Sequence, residues 1–300
     1  MAEKPKLVII GEQHPENIAG GWFSDDLPRE VADSYRKILD NIVHREIRIL
    51  KQEGVTRLFI EVPASKERKK IYSNYSKERD LGRLRSEIIK ESVQELARGL
   101  YHAKRLIPEM GLSKAMQFFL AERIALGERD LKKAKPSESA ASSIFMFHFE
   151  NAAHEAKITD ISPVDDAEYS SRGLACLLLL DLADLSKMKA LAKKAGLESA
   201  IEKIEPESIS TKKTVKALLG SLDKLREQKM NENILIASGL KKKRGILTRL
   251  TGNENKKEHA TSALICGKSH AEHMKELLST HFDVKHHTVD LDWIKDYLFK

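Results

Sequence analysis

Cysteine is scarce. The chain of 300 residues carries two, Cys176 and Cys266. Two thiols cannot build a disulfide framework, and no C-x-x-C occurs, which excludes a cysteine-based zinc site. Both lie in apolar runs, Leu174-Ala175-Cys176-Leu177 and Leu264-Ile265-Cys266-Gly267, and are expected as buried, reduced thiols. Long apolar runs are also missing. The longest, Leu174 to Leu180, stops at Asp181, well short of the roughly 20 residues of a membrane-spanning helix. The start of the chain, Met1-Ala2-Glu3-Lys4-Pro5-Lys6, leads directly into Leu7–Ile10 without the longer apolar core of a secretory signal. The expected location is the cytoplasm, or export by a route without a cleaved signal. With 15 glycines and 8 prolines the sequence is neither fibrous nor a low-complexity linker. No internal repeat or obvious linker divides it, and one domain is expected over residues 1–300.

The chain does carry charge, with a formal net value of +7. The excess is regional: residues 187–244 hold 15 Lys/Arg against 7 Asp/Glu. Helical spacing there (Val215, Leu218, Leu219, Leu222, Leu225) makes the lysines a solvated helix face. The interleaved aromatics of a nucleic-acid stacking platform are absent, so nucleic acid is not an expected partner.

Lys6–Ile10 reads as a buried strand closed by Gly11, and residues 15–28, with Gly20-Gly21-Trp22, as a turn-rich loop. Apolar positions from Val31 to Leu50 recur at spacings of three and four, and Gly54 ends that helix. Val55–Ile60 reads as a second strand with Glu61 at its end. Strand, loop, helix and strand make a βαβ unit, which points to an α/β fold: a central mixed, largely parallel sheet flanked by helices. Residues 66–135, 140–156 and 170–240 read as mainly helical, and 66–220 as a helical insertion or cap. Further strands are expected at Lys157–Ile161, Thr261–Cys266 and, at an edge, Val284–Val289. Residues 241–258 read as a basic loop and Trp293–Phe299 as a closing helix.

Two strand ends share one pattern. Gly11-Glu12-Gln13-His14 follows the first strand, and Gly267-Lys268-Ser269-His270 follows Ala263–Cys266. Each glycine permits a sharp turn, and each histidine is presented at the sheet edge where ligands of open α/β sheets bind. Glu61, after a purely apolar run, is not required for sheet packing. Two histidines and a carboxylate at one edge suit either a divalent metal with open positions for water, or a general base acting on water while the carboxylate orients it. Glu12 is a candidate second carboxylate. His273, one helical turn after His270, reads as solvent-facing. His286 and His287 must point to opposite faces of a strand. His148 and His154 read as packing or surface residues, and Asp160 as a turn cap. Cys266-Gly267-Lys268-Ser269 is not a phosphate loop, because Ser262 stands where the first glycine is required.

The constellation resembles the superfamily joining erythromycin esterases, TIKI/TraB-type proteases and ChaN-like haem-binding proteins, which share two G-x-x-H motifs and a glutamate after the second core strand. Gly11-Glu12-Gln13-His14 is similar to the G-E-x-H form of the erythromycin esterases. Leu58-Phe59-Ile60-Glu61 is similar to the glutamate strand. Arg226-Glu227-Gln228-Lys229-Met230-Asn231-Glu232-Asn233-Ile234 is similar to the family's R-D/E-x-x-M-x-x-N-I/V stretch. The pieces occur in family order, while 66–220 shows no such likeness. The resemblance implies a site at His14, Glu61 and His270 that cleaves an ester or peptide-type bond in a small-molecule or peptide substrate. Arg226 would be its cation, and the metal would be manganese, cobalt or zinc if one is used. A ligand-binding protein of the haem type and a bacterial effector or toxin domain are the other classes it admits.

Overall fold

The computed structural model describes residues 3–12, 29–133, 148–183, 189, 198–241 and 261–290. Five strands, β1 (Lys6–Glu12), β2 (Val55–Pro63), β3 (Asp160–Asp165), β4 (Thr261–Gly267) and β5 (Asp283–Val289), form one sheet in the order β3-β2-β4-β1-β5. Every pairing is parallel. The helices are α1 (Arg29–Gln52), α2 (Lys66–Glu78), α3 (Leu81–Glu109), α4 (Lys114–Lys133), α5 (His148–Glu155), α6 (Ala167–Leu182), α7 (Glu198–Ala237) and α8 (Lys268–Leu278). The chain has an α/β fold. Among the described residues no helix is long and apolar enough to cross a membrane.

The chain divides into two compact units. One comprises residues 1–88, 140–166 and 227–300 and carries the sheet; the other comprises residues 89–139 and 167–226. The second unit is helical. Its core joins Leu100, Ala103 and Ile107 of α3 with Met116, Leu120 and Ile124 of α4. Cys176, Leu178 and Leu179 of α6 and Val215 and Leu222 of α7 complete it. Each fully buried Leu, Ile, Val or Met of this core contributes about 1.5–3 kcal/mol relative to exposure.

In the sheet unit, alternation along the strands sorts the buried residues onto two faces. Leu7, Ile9, Phe59, Leu264 and Cys266 pack with Met230 and Ile234 of α7 and with Ala271, Met274 and Leu278 of α8. Val8, Ile10, Leu58, Ile60, Ala263 and Ile265 point to the other face and are also buried. Helix α1 lies on that second face, since its Glu46 stands beside Glu12, which continues the Val8, Ile10 row. Thus α1, which follows β1, and α8, which follows β4, leave neighbouring strands for opposite faces. Such a divergence opens a crevice beyond the carboxyl ends of the strands, and this crevice is the ordinary ligand position in open parallel sheets.

Helix α1 ends through Gly54, whose φ of 64° is the left-handed conformation expected of a terminating glycine. The strand expected at 157–161 lies later, at Asp160–Asp165. Lys157 has φ 62° and still belongs to the turn closing α5. Pro163 is accommodated because β3 is an edge strand, where a missing N–H costs no ladder bond. Strand β5 is the other edge. β1 and β2 lie parallel but are not neighbours, because β4 pairs with both. The expected loop at 15–28, the loop at 241–258 beyond its first residue, the helix at 140–156 before residue 148 and the closing helix at 293–299 lie outside the described residues.

Candidate functional site

Three strands of the sheet unit end in polar groups at the carboxyl edge. Glu12 closes β1, Glu61 lies near the end of β2, and Gly267 closes β4 and caps α8. Gly267 has extended φ and ψ of −57° and 142°, so it is not there for a left-handed turn. Gly11 remains inside β1, and its role is close approach. A Cβ on it would stand 2.7 Å from Ala271 Cβ of α8. The missing side chain therefore lets the first turns of α8, with His270, settle against the end of β1.

Around β4 the polar groups form a chain of contacts. Glu61 Oε2 accepts the Gly267 N–H at 2.8 Å, which fixes the carboxylate against the first turn of α8. Its Oε1 lies 3.5 Å from His270 Nε2. His270 Nδ1 lies 2.7 Å from Glu227 Oε1 on α7. A carboxylate only accepts, so Nδ1 carries the hydrogen and the Nε2 side of the ring is turned to Glu61. The second oxygen of Glu227 is taken by His273 Nδ1. His273 is thus half-exposed but held by the carboxylate that holds His270, rather than turned freely to solvent. The Glu61, His270 and Glu227 side chains are nearly buried.

A second group occupies the opposite face of the sheet. His148 Nε2 of α5 lies 2.9 Å from Glu12 Oε1. Glu46, on α1, completes a set in which each residue offers one ligand atom within 4.8 Å of the others. All three are buried. The two groups meet electrostatically at Cys266. Its thiol is pushed well above the ordinary range, first by burial and then by the carboxylates of Glu61, Glu12 and Glu227. Four buried or nearly buried acidic side chains, Glu12, Glu46, Glu61 and Glu227, thus converge on this edge.

The structure accordingly brings Glu61 and His270 together and sets Glu12 on the other face of the same edge. His14 lies outside the described residues, as does Trp22. Arg226, in the helical unit, pairs with Asp223 at 3.0 Å and lies against Gly173. Its sequence neighbour Glu227 is the residue of that stretch that meets His270. Three participants escaped the sequence reading: Glu227, Glu46 and His148. For Glu46 a signal existed, since it stands four residues from both Ile42 and Leu50, inside the buried stripe of α1. A carboxylate inside an apolar stripe needs a partner. Of the other histidines singled out in the sequence, His154 pairs with Tyr75, His286 with Glu272 and His287 with Glu53. Asp160 pairs with Arg57 at 2.8 Å.

Among the described residues, Glu61 and His270 offer two ligand atoms at a spacing that a divalent cation could use, while the group of three possible ligands is Glu12, Glu46 and His148. Two ligands about 2.1 Å from a tetrahedral ion stand about 3.4 Å apart, close to what Nε2 and Oε1 show. The Glu227 carboxylate behind the imidazole is the outer partner that metal-bound histidines ordinarily have. No family model, no curated protein and no solved structure matches this chain.

Proposed function

We propose that the chain is a hydrolase acting on an ester or peptide-type bond, with its site at the carboxyl edge of the sheet. The observation that carries this reading is the Glu227–His270–Glu61 series, an imidazole clamped between two nearly buried carboxylates at a crevice-forming strand end. Glu61 and His270, with His14 as the third ligand, would hold a divalent ion such as Mn²⁺, Co²⁺ or Zn²⁺. When bound, the ion makes water a nucleophile near neutral pH and polarises a carbonyl. The chain supplies the rest. Glu227 fixes the His270 tautomer and ring plane. The Gly267 N–H fixes Glu61. Where the ion is not used, His14 or His270 accepts the proton of water as its oxygen attacks the carbonyl carbon; the bond to the leaving oxygen or nitrogen breaks, and the proton passes to it.

The test uses the full chain with nitrophenyl esters and fluorogenic peptides, each with Mn²⁺, Co²⁺ or Zn²⁺ and with chelator. Glu61→Gln and His270→Ala should lower turnover by about 10²–10⁴-fold without changing the circular dichroism spectrum. Glu227→Gln should lower kcat while leaving KM nearly unchanged, because it positions His270 without touching substrate. Full activity in His270→Ala refutes the assignment. A Soret band on haem addition, lost in His270→Ala and unaccompanied by turnover, moves the site to ligand binding.

A further inference from the structure

The buried group on the other face of the sheet is not used by the reaction above, and one of its members is anomalous. Both carboxylate oxygens of Glu46 are sealed from solvent and make no hydrogen bond. The side chain is fully buried. Another acid, Glu12, stands within hydrogen-bond reach, and burial and that neighbour both disfavour the charged form of Glu46. With a proton shared with Glu12, one fully buried oxygen of Glu46 still has no donor, a cost that an ion held between these groups would offset.

We propose that Glu12, Glu46 and His148 form a divalent-cation site, distinct from the Glu61, His270 pair, that ties the end of β1 to α1 and α5. The geometry suits it. The three ligand atoms lie within 4.8 Å of one another. His148 Nε2 and Glu12 Oε1, 2.9 Å apart, stand at the separation of two adjacent ligands each about 2.1 Å from an ion and about 90° apart, roughly 3.0 Å. Two carboxylates and one imidazole offset a double positive charge and suit a borderline to hard first-row ion, Mn²⁺ before Zn²⁺. The ligands come from a strand end and two helices, α1 and α5, that pack on each other. An ion there would hold the end of β1 in place whether or not catalysis occurs.

The test is metal binding by the full chain, read by elemental analysis after Mn²⁺ loading and desalting, by Mn²⁺ electron paramagnetic resonance titration, and by thermal unfolding with and without Mn²⁺. Wild type should bind Mn²⁺ and melt at a temperature that rises with Mn²⁺ concentration and falls with chelator. Glu46→Gln, nearly the same shape, should weaken this site at least 100-fold and abolish most of the Mn²⁺-dependent melting shift. His270→Ala should leave both readouts of this site in place, which separates its failure from failure of the hydrolase reading. The inference is overturned if Glu46→Gln binds Mn²⁺ as wild type does. It is equally overturned if wild type binds neither Mn²⁺ nor Zn²⁺ and Glu46→Gln is simply more heat-stable, the signature of a shared proton. Should Glu46→Gln fail to fold, His148→Gln and the wild-type melting series decide the matter by the same criteria.

Discussion

Gly11→Ala adds one methyl group at the point where α8 leans on β1. The new Cβ would lie 2.7 Å from Ala271 Cβ, 3.3 Å from His286 Nε2 and 3.5 Å from Lys268 Cα. Two carbon atoms in contact normally stand 3.5–4.0 Å apart, so α8 must retreat by about an ångström at its first turns. His286 can turn its ring aside, but Ala271 Cβ and the backbone of Lys268 can move only with the helix. Overpacking of this kind costs typically 1–3 kcal/mol, a fall in melting temperature of about 2–10 °C for a chain of this size. The retreat also carries His270 away from Glu61, now 3.5 Å distant. A misplacement near an ångström in a reacting group costs on the order of 10²-fold in rate. The assay is urea unfolding followed by circular dichroism, together with ester or peptide turnover. Ala271→Gly supplies the decisive control. Alone it should destabilise by about 1 kcal/mol, as glycine does inside a helix. Combined with Gly11→Ala it should relieve the clash, leaving the double variant less damaged than the two single effects predict by about 1–2 kcal/mol. Strictly additive effects, or a Gly11→Ala protein as stable as wild type, would refute the close-approach account of this glycine.

The cysteines give a simple pH experiment. Burial pushes the Cys176 thiol up to about 11. The unfolded chain releases this proton near pH 8.5, so above that pH the folded state binds more protons and stability falls as pH rises. Replacing Cys176 by Ala should flatten that alkaline decline in a series of urea midpoints from pH 8 to 10, and an unchanged slope would show the thiol is not its source. In native protein at pH 8 neither Cys176 nor Cys266 should react with an aromatic disulfide reagent, while denaturant should release two thiols per chain. Gly127→Ala, inside α4, places its Cβ at an ordinary 3.6 Å from Leu100 Cδ2 and should raise stability by about 0.5–1 kcal/mol. A drop in melting temperature would show that the added methyl group is not accommodated between α4 and Leu100.

Where the sequence was readable, the signal was local. The apolar runs of β1, β2 and β4 and the alternating end of β5 need no distant information, because a strand buried on both faces is apolar throughout. Gly54 announced the end of α1, because the left-handed turn that closes a helix favours glycine. Placement of Glu61 and His270 at one edge was legible for the same reason: each follows an apolar strand that must end. What stayed hidden depended on pairing across the chain. Nothing near Leu58 says that β4 will lie beside it. Pro163 disguised β3, since its tolerance depends on an edge position that only the full sheet reveals. His148 looked like a packing residue because its partner, Glu12, is 136 residues away. Glu227 sat beside the more conspicuous Arg226, and helix phase decided which of the two meets His270.

The central position of β4 has a consequence for how the molecule comes into being. Thr56 and Thr261, joined by a hydrogen bond across β2 and β4, are separated by 205 residues of chain. During synthesis both strands that flank β4 emerge long before it, along with the whole helical unit. Until β4 arrives, β1 and β2 have no common neighbour, and each offers an unpaired apolar edge to whatever is nearby. Pairings of such long range are slow to form, because the loop must close before any contact rewards it. The nascent chain thus exposes its unpaired strand edges during an interval in which its helical unit has already been synthesised. The same order makes the strand that organises the site also the last internal strand to be laid down, so a chain stopped short of it has neither a joined sheet nor a crevice.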